Sequence, residues 1–170
     1  MHKIAVTGPE SSGKTTLVKA LAAHFNSPYT EEFARAYLEK NKGKYDQHDL
    51  LPILKGQIEN EDKAAVQDAP FLFCDTDPLV IMIWSEFKYG TVDPLIDAIW
   101  KDHQYSLRLL VYPDTIWEYD PLRENKEDRK RLYDLYYSAL KEANLPFVII
   151  KGSAEERVET AVKALKELSK

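Results

Sequence analysis

Eight residues near the start of the chain, GPESSGKT from Gly8 to Thr15, carry the spacing G-x-x-x-x-G-K-[ST], and each type at its place serves one chemistry, the holding of a chain of phosphates. Glycine at both ends lets the backbone curl until several N–H groups point at phosphate oxygens. Lys14 brings a cation to the outer phosphates, and the Thr15 hydroxyl is placed to ligate magnesium. The helix that follows adds its positive N-terminal end. Glu10, Ser11, Ser12, Gly13 and Thr16 complete the set expected to touch the nucleotide. A guanine-specific switch protein carries Asn/Thr-Lys-x-Asp after a late strand. Here the late strand leads into Lys151, Gly152 and Ser153, so the expected nucleotide is ATP, with Mg2+.

Acids and arginines elsewhere suit the transfer of a phosphoryl group. Asp75 closes an apolar run, at the strand end where open parallel sheets bind ligands, so its carboxylate can face magnesium or an acceptor hydroxyl. Asp77, two residues on, has two readings: a substrate contact, or a cap for the helix that begins at Pro78. Glu31, Glu32 and Arg35 follow a short second strand. Glu32 is the candidate to orient or deprotonate a hydroxyl, and Arg35 the candidate to hold substrate. The segment from Tyr112 to Arg131 carries Trp117, Asp120, Arg123 and Arg129, a mixture suited to closing over an anionic, ring-bearing ligand. Arg123 and Arg129 are the candidates to meet the charge that spreads over the phosphoryl oxygens in the transition state. Arg131 reads as a solvated helix face. Trp117 is open between a stacking surface for a substrate ring and a packing anchor.

These side chains need a scaffold, and the pattern supplies alternating strands and helices. Lys3 to Val6 reads as a buried strand feeding the glycine loop, and Leu17, Leu21, Ala22 and Phe25 recur at helical spacing after it. Helices are expected over Glu31 to Asn41 and over Asp46 to Gln67, the latter with Pro52 in its early turns. Pro70 to Cys74 reads as a strand buried on both faces, Leu107 to Tyr112 as another apolar strand, and Phe147 to Ile150 as a further strand. Asp77-Pro78 and Asp93-Pro94 each start a helix, the first ending at Gly90. Pro113 to Asn125 is a polar, aromatic loop leading into a helix over Arg129 to Asn144, which sets a lid at about 113–131. Ser153 and Glu156 form a capping box for the last helix, through about Lys166. Trp84 and Trp100 fall within helical patterns and read as core. The alternation predicts an α/β, doubly wound, mainly parallel sheet of about five strands with helices on both faces, the P-loop NTPase fold.

Composition bounds the rest. At 170 residues, with 44% hydrophobic and 30% charged residues, the chain reads as one domain over 1–170. A net charge of -5 argues against a general nucleic-acid binder. Cys74 alone can form no internal disulfide, which suits a reducing compartment. The start has no signal-peptide layout, and the longest apolar stretch, Leu79 to Trp84, is too short to span a bilayer. The expected location is the cytoplasm.

Four blocks in order, GPESSGKTTL from Gly8, YTEEFARAYL from Tyr29, CDTDPL from Cys74 and YPDTIWEYDPLRENKEDR from Tyr112, resemble the ribosylnicotinamide kinase domain of the NadR-like family over almost the whole chain. The phosphate loop alone is unspecific; the other three blocks, in that order, are selective. The resemblance implies phosphorylation of the 5-prime hydroxyl of nicotinamide riboside by ATP, with Gly8 to Thr15 on ATP and with Trp117, Asp120 and Arg123 near donor or acceptor. The partner is then a small molecule, with no nucleic acid or membrane. The chain lacks the DNA-binding helix-turn-helix and the adenylyltransferase domain of the trifunctional family member, so regulation and the second step of NAD synthesis are not expected of it. Two other readings stay open: a kinase for another nucleoside or a vitamin alcohol, and an ATPase that switches a partner interaction.

Overall fold

A computed structural model of the protein describes residues 1–65 and 68–168. Five strands form one sheet: β1 (His2–Thr7), β2 (Tyr29–Thr30), β3 (Phe71–Asp75), β4 (Leu107–Val111) and β5 (Phe147–Ile150). The order is β2-β3-β1-β4-β5 and every pairing is parallel. Seven helices complete the described residues: α1 (Lys14–Phe25), α2 (Phe33–Lys40), α3 (Leu50–Ala64), α4 (Pro78–Tyr89), α5 (Pro94–Asp102), α6 (Arg129–Glu142) and α7 (Ala154–Leu168).

Strand alternation sorts the core into two layers. Ile4, Val6, Phe71, Phe73, Leu109 and Val111 face α1 and α7. Ala5, Leu72, Cys74 and Leu110 turn to the other face, which α3, α4, α5 and α6 cover. Both faces are therefore apolar along the central strands, as a parallel sheet between helix layers requires.

Local signals set most boundaries. The Asp93 carboxylate accepts from the Leu95 N–H at 2.8 Å and starts α5. Ser153 and Glu156 exchange their capping bonds at 2.7 and 3.2 Å ahead of α7, and Gly90, at φ 72°, ends α4. The helix expected from Asp46 begins later: Asp46 caps a single 3-10 turn, Gln47–Asp49, and α3 starts at Leu50. Pro52 then falls in the first turn, where no i−4 hydrogen bond is lost. The expected end of that helix at Gln67 lies outside the described residues. α6 stops at Glu142, and Asn144 adopts φ 51° beyond it. No helix among the described residues is long and apolar enough to cross a membrane.

The strand order reverses direction at β1, with β3 on one side and β4 on the other. Val6 pairs with Asp75 and with Leu109, so the loop after β1 and the acid ending β3 emerge together at the carboxyl edge of the sheet. That crevice is the topological switch point, where such sheets bind ligands.

Candidate active site

A cavity of about 640 Å³ opens at this edge, walled by the loop from Gly8 to Thr16, the start of α2, α4 and the segment before α6. Gly8 stands against β4: a Cβ at this position would lie 2.8 Å from the Val111 carbonyl oxygen. Backbone cannot give way to that extent, so the loop's first glycine is fixed by packing as well as by curvature. Gly13 N-caps α1 in a left-handed conformation, φ 88°. The Lys14 ammonium donates to the carbonyls of Gly8 and Pro9 at 3.0 and 2.9 Å, so it curls back over the loop with its charge at the loop's mouth.

Asp75 reaches the site from beneath, where its Oδ2 accepts from the Thr15 hydroxyl at 2.6 Å. Its Oδ1 is buried and has no hydrogen-bond partner. Burial is the main cause that pushes the Asp75 carboxyl up to about 6, with Glu32 and Glu31 adding to it and Lys14 and Thr15 opposing. A hydroxyl and a buried, half-partnered carboxylate are hard oxygen donors of the kind magnesium takes, and this ion keeps several of its waters. Thr76, next to Asp75, sits at φ 77°. A β-branched residue adopts that conformation only under constraint, here beneath the 3.0 Å bond from its N–H to the Val6 carbonyl.

The segment between β4 and α6 lies across the loop. Thr115 Oγ1 donates to the Ser11 carbonyl at 2.6 Å, the Glu118 N–H donates to Ser11 Oγ at 3.0 Å, and the Glu10 carboxylate accepts from the Glu124 and Asn125 N–H groups at 3.1 and 3.0 Å. Arg123 lines the cavity and donates to Ser11 Oγ at 3.3 Å and to the Glu118 carbonyl at 2.7 Å. The far side of this segment is tied to the opposite wall of the cavity: Arg35 to Asp120 at 2.9 Å, and Lys88 to Glu124 at 3.0 Å. The Leu122 amide and the Arg35 guanidinium hold the Asp120 carboxyl below its ordinary value.

The site thus gathers the loop residues, Glu32, Arg35 and Arg123 on one cavity, with Asp75 under it. Four expected contacts stand elsewhere. Asp77 is 1% exposed and caps nothing: its two oxygens accept from the Thr7 hydroxyl and from Arg108 Nε, both at 2.9 Å. That full pairing removes it from both of its expected roles, substrate contact and helix cap. Arg129 points at the loop's back, donating to the carbonyls of Ser11 and Thr115 at 3.1 and 3.0 Å. Trp117 packs beneath its guanidinium, 5.6 Å from ring centre to charge, as an anchor outside the cavity wall. Asp120 is spent on Arg35.

Other residues enter the site that the sequence reading misses. Trp84, read as core, is half-buried and lines the cavity beside Tyr45, whose hydroxyl accepts its N–H at 3.2 Å; Phe87 and Tyr136 complete an aromatic wall. Burial, then the bond to Glu124, pushes the Tyr45 phenol up. Arg157 clamps three loops: it donates to the carbonyls of Ser12, Tyr112 and Gly152 and pairs with Asp114. A signal for it exists, since Arg157 shares the buried stripe of α7 with Ala161 and Leu165, and a charge on an apolar stripe needs partners.

An AAA domain family model matches residues 3–157. The chain is 30% identical over 177 residues to the trifunctional NAD biosynthesis/regulator protein NadR of Salmonella typhimurium, covering 99% of this chain and 43% of that protein. It therefore spans about two fifths of that relative's length. Among solved structures, NadR protein in complex with NR matches with a TM-score of 0.86 at 27% identity, over 98% of this chain and 51% of the other. NadR protein in complex with NAD and AMP-PNP matches at 0.82 and 25%, over 98% and 49%. With its phosphate loop and strand-end acid at the switch point of a parallel sheet, and with the family pattern running from β1 into α7, this chain belongs to the AAA domain family of P-loop proteins.

Proposed function

We propose that this chain is an ATP-dependent kinase that phosphorylates the 5-prime hydroxyl of nicotinamide riboside. The observation that carries the reading is a cavity with two unlike walls. One is the phosphate loop with Lys14; the other holds Glu32, Arg35 and the aromatic rings of Tyr45, Trp84 and Phe87. A pyridinium ring on a ribose can stack on this wall at Trp84, since Lys88 already stands over the Tyr45 ring and Arg131 over the Phe87 ring, while Glu32 on the same cavity serves a sugar hydroxyl. The solved NadR complexes with NR, and with NAD and AMP-PNP, support the same pairing of ligands.

In this reading Gly8 to Thr16 holds ATP, while the Thr15 hydroxyl and Asp75 hold magnesium, which when bound neutralises charge on the phosphate oxygens. Glu32 accepts the proton of the acceptor hydroxyl. The acceptor oxygen bonds to the terminal phosphorus, the bond from that phosphorus to the bridging oxygen breaks, and ADP leaves with the electron pair. Lys14 and Arg123 meet the negative charge that builds on the moving group. The lid, fastened to both walls, excludes water that would otherwise take the phosphoryl group.

The test is ADP release with magnesium-ATP, with and without nicotinamide riboside, against a panel of nucleosides and vitamin alcohols. Release that depends on nicotinamide riboside, with the mononucleotide identified by mass, is the expected result. Stimulation by another acceptor alone keeps the mechanism and replaces the substrate. Slow release that no acceptor changes overturns the kinase reading in favour of an ATPase.

A further inference from the structure

Gln57 lies on α3, outside the cavity wall and only 3% exposed. Its side-chain Oε1 accepts the N–H of Phe33 at 2.9 Å, and its Nε2 donates to the main-chain carbonyl of Asp75 at 3.4 Å and to Glu61 Oε1 at 3.5 Å. The partners fix the orientation of the amide, because an N–H can only donate and a carbonyl can only accept. Phe33 is the first residue of α2, and Glu32, immediately before it, makes no side-chain capping bond of its own. The Phe33 N–H, one of the first-turn donors that have no partner within the helix, is met from another helix. A second contact docks the same point: the Phe33 ring fills a notch at Gly56, where a Cβ would lie 2.3 Å from ring atoms.

We infer that Gln57 is a positioning residue: one amide ties the start of α2, and with it the Glu32 carboxylate, to the strand end that carries Asp75. The two ends of this one amide reach two different elements, the oxygen accepting from α2 and the nitrogen donating to the end of β3, and no other side chain among the described residues is seen to bond both. Glu32 lines the cavity and Asp75 lies under it, bonded to Thr15 of the cavity wall at 2.6 Å, so this tie sets how far apart the two carboxylate-bearing elements stand. The inference rests on the proposed kinase reading, in which Glu32 takes the acceptor proton.

The experiment is a double-mutant cycle on the full chain, with Gln57→Leu, Glu32→Gln and the pair, read as kcat and as KM for ATP. Gln57→Leu is expected to lower kcat on the order of tenfold to a hundredfold, as misplacement of a reacting group by about 1 Å does, with KM for ATP within about twofold. In the Glu32→Gln background the same substitution is expected to change kcat by less than about twofold, because it acts through the carboxylate already removed. An equal fall in both backgrounds, or no fall in either, overturns the inference. Should Gln57→Leu fail to fold, Gly56→Ala displaces Phe33 from the other side and is expected to show the same dependence on Glu32; a fall independent of Glu32 overturns the inference. A wild-type chain with no acceptor-stimulated ADP release overturns the kinase reading itself, and the inference with it.

Discussion

Lys14 works by charge and placement: its ammonium hangs on two loop carbonyls at the cavity mouth and packs against no core. Lys14→Ala is therefore expected to abolish phosphoryl transfer, assayed as acceptor-dependent ADP, while the thermal midpoint stays within a few degrees of wild type; normal turnover would remove the lysine from the mechanism. Arg123→Ala should lower kcat by about tenfold or more and leave ATP affinity nearly unchanged, the signature of a contact made in the transition state. Asp75 gives a prediction with a sign. Its carboxyl, ordinarily at 3.8, is held at about 6 by burial, so between these values the folded chain keeps a proton that the unfolded chain releases. Stability from this group is complete below the lower value and falls as pH rises through the upper one. Asp75→Asn should then stabilise the ligand-free protein at about pH 7.5 by about 2 to 3 kcal/mol, one pKa unit being worth roughly 1.4 kcal/mol. The gain should vanish near pH 4, and magnesium-dependent turnover should be lost. Urea titrations at the two pH values decide it; an equal effect at both would show that the carboxylate is not penalised by burial.

The lid is an element held by polar bonds to its neighbours more than by its own core. Ile116 and Tyr119 near its tip are 89% and 84% exposed, and its ties to Glu10, Ser11, Arg35 and Lys88 are hydrogen bonds or surface ion pairs. Such ties are individually weak, which puts the lid among the segments that open without global unfolding. Glu10→Ala removes the acceptor for two lid N–H groups at once. Tryptic cleavage after Arg123 or Lys126 should speed up several-fold, while the global unfolding free energy changes by less than about 1 kcal/mol. Unchanged cleavage would mean that the lid is held from elsewhere.

At the scale of the whole molecule, the two helix layers meet a charge in the middle of the sheet. Arg108 of β4 is 1% exposed, pairs with Asp77 at 2.9 Å and lies against the rings of Trp100 and Tyr105 at 5.1 and 4.9 Å. Asp77→Ala would leave that guanidinium buried beside an empty partner position, which destabilises by about 3 to 5 kcal/mol. A loss below about 1 kcal/mol in urea would show that Arg108 finds water or another acceptor. Because Asp77 also accepts from Thr7, the last residue of β1 before the phosphate loop, this structural pair braces the site without touching ligand.

What neighbours along the chain fix can be read from the order of residues. The G-x-x-x-x-G-K-[ST] spacing settles the curl of a loop, apolar runs settle the strands, and Asp93, Ser153 and Glu156 settle helix starts, because each acts through backbone bonds a few residues away. Glu32, Arg35 and Arg123 were legible as charges that follow a strand or sit in a lid. The strand order β2-β3-β1-β4-β5, the partners that turn Asp77 and Arg129 away from the cavity, and the arrival of Tyr45, Trp84 and Arg157 at the site come from packing between distant segments. Arg157 meets Ser12 across 145 positions of chain. Periodicity says which face of a helix is buried, but the strand order decides what that face meets, and with it which polar side chains are already paired and which are left to act on a ligand.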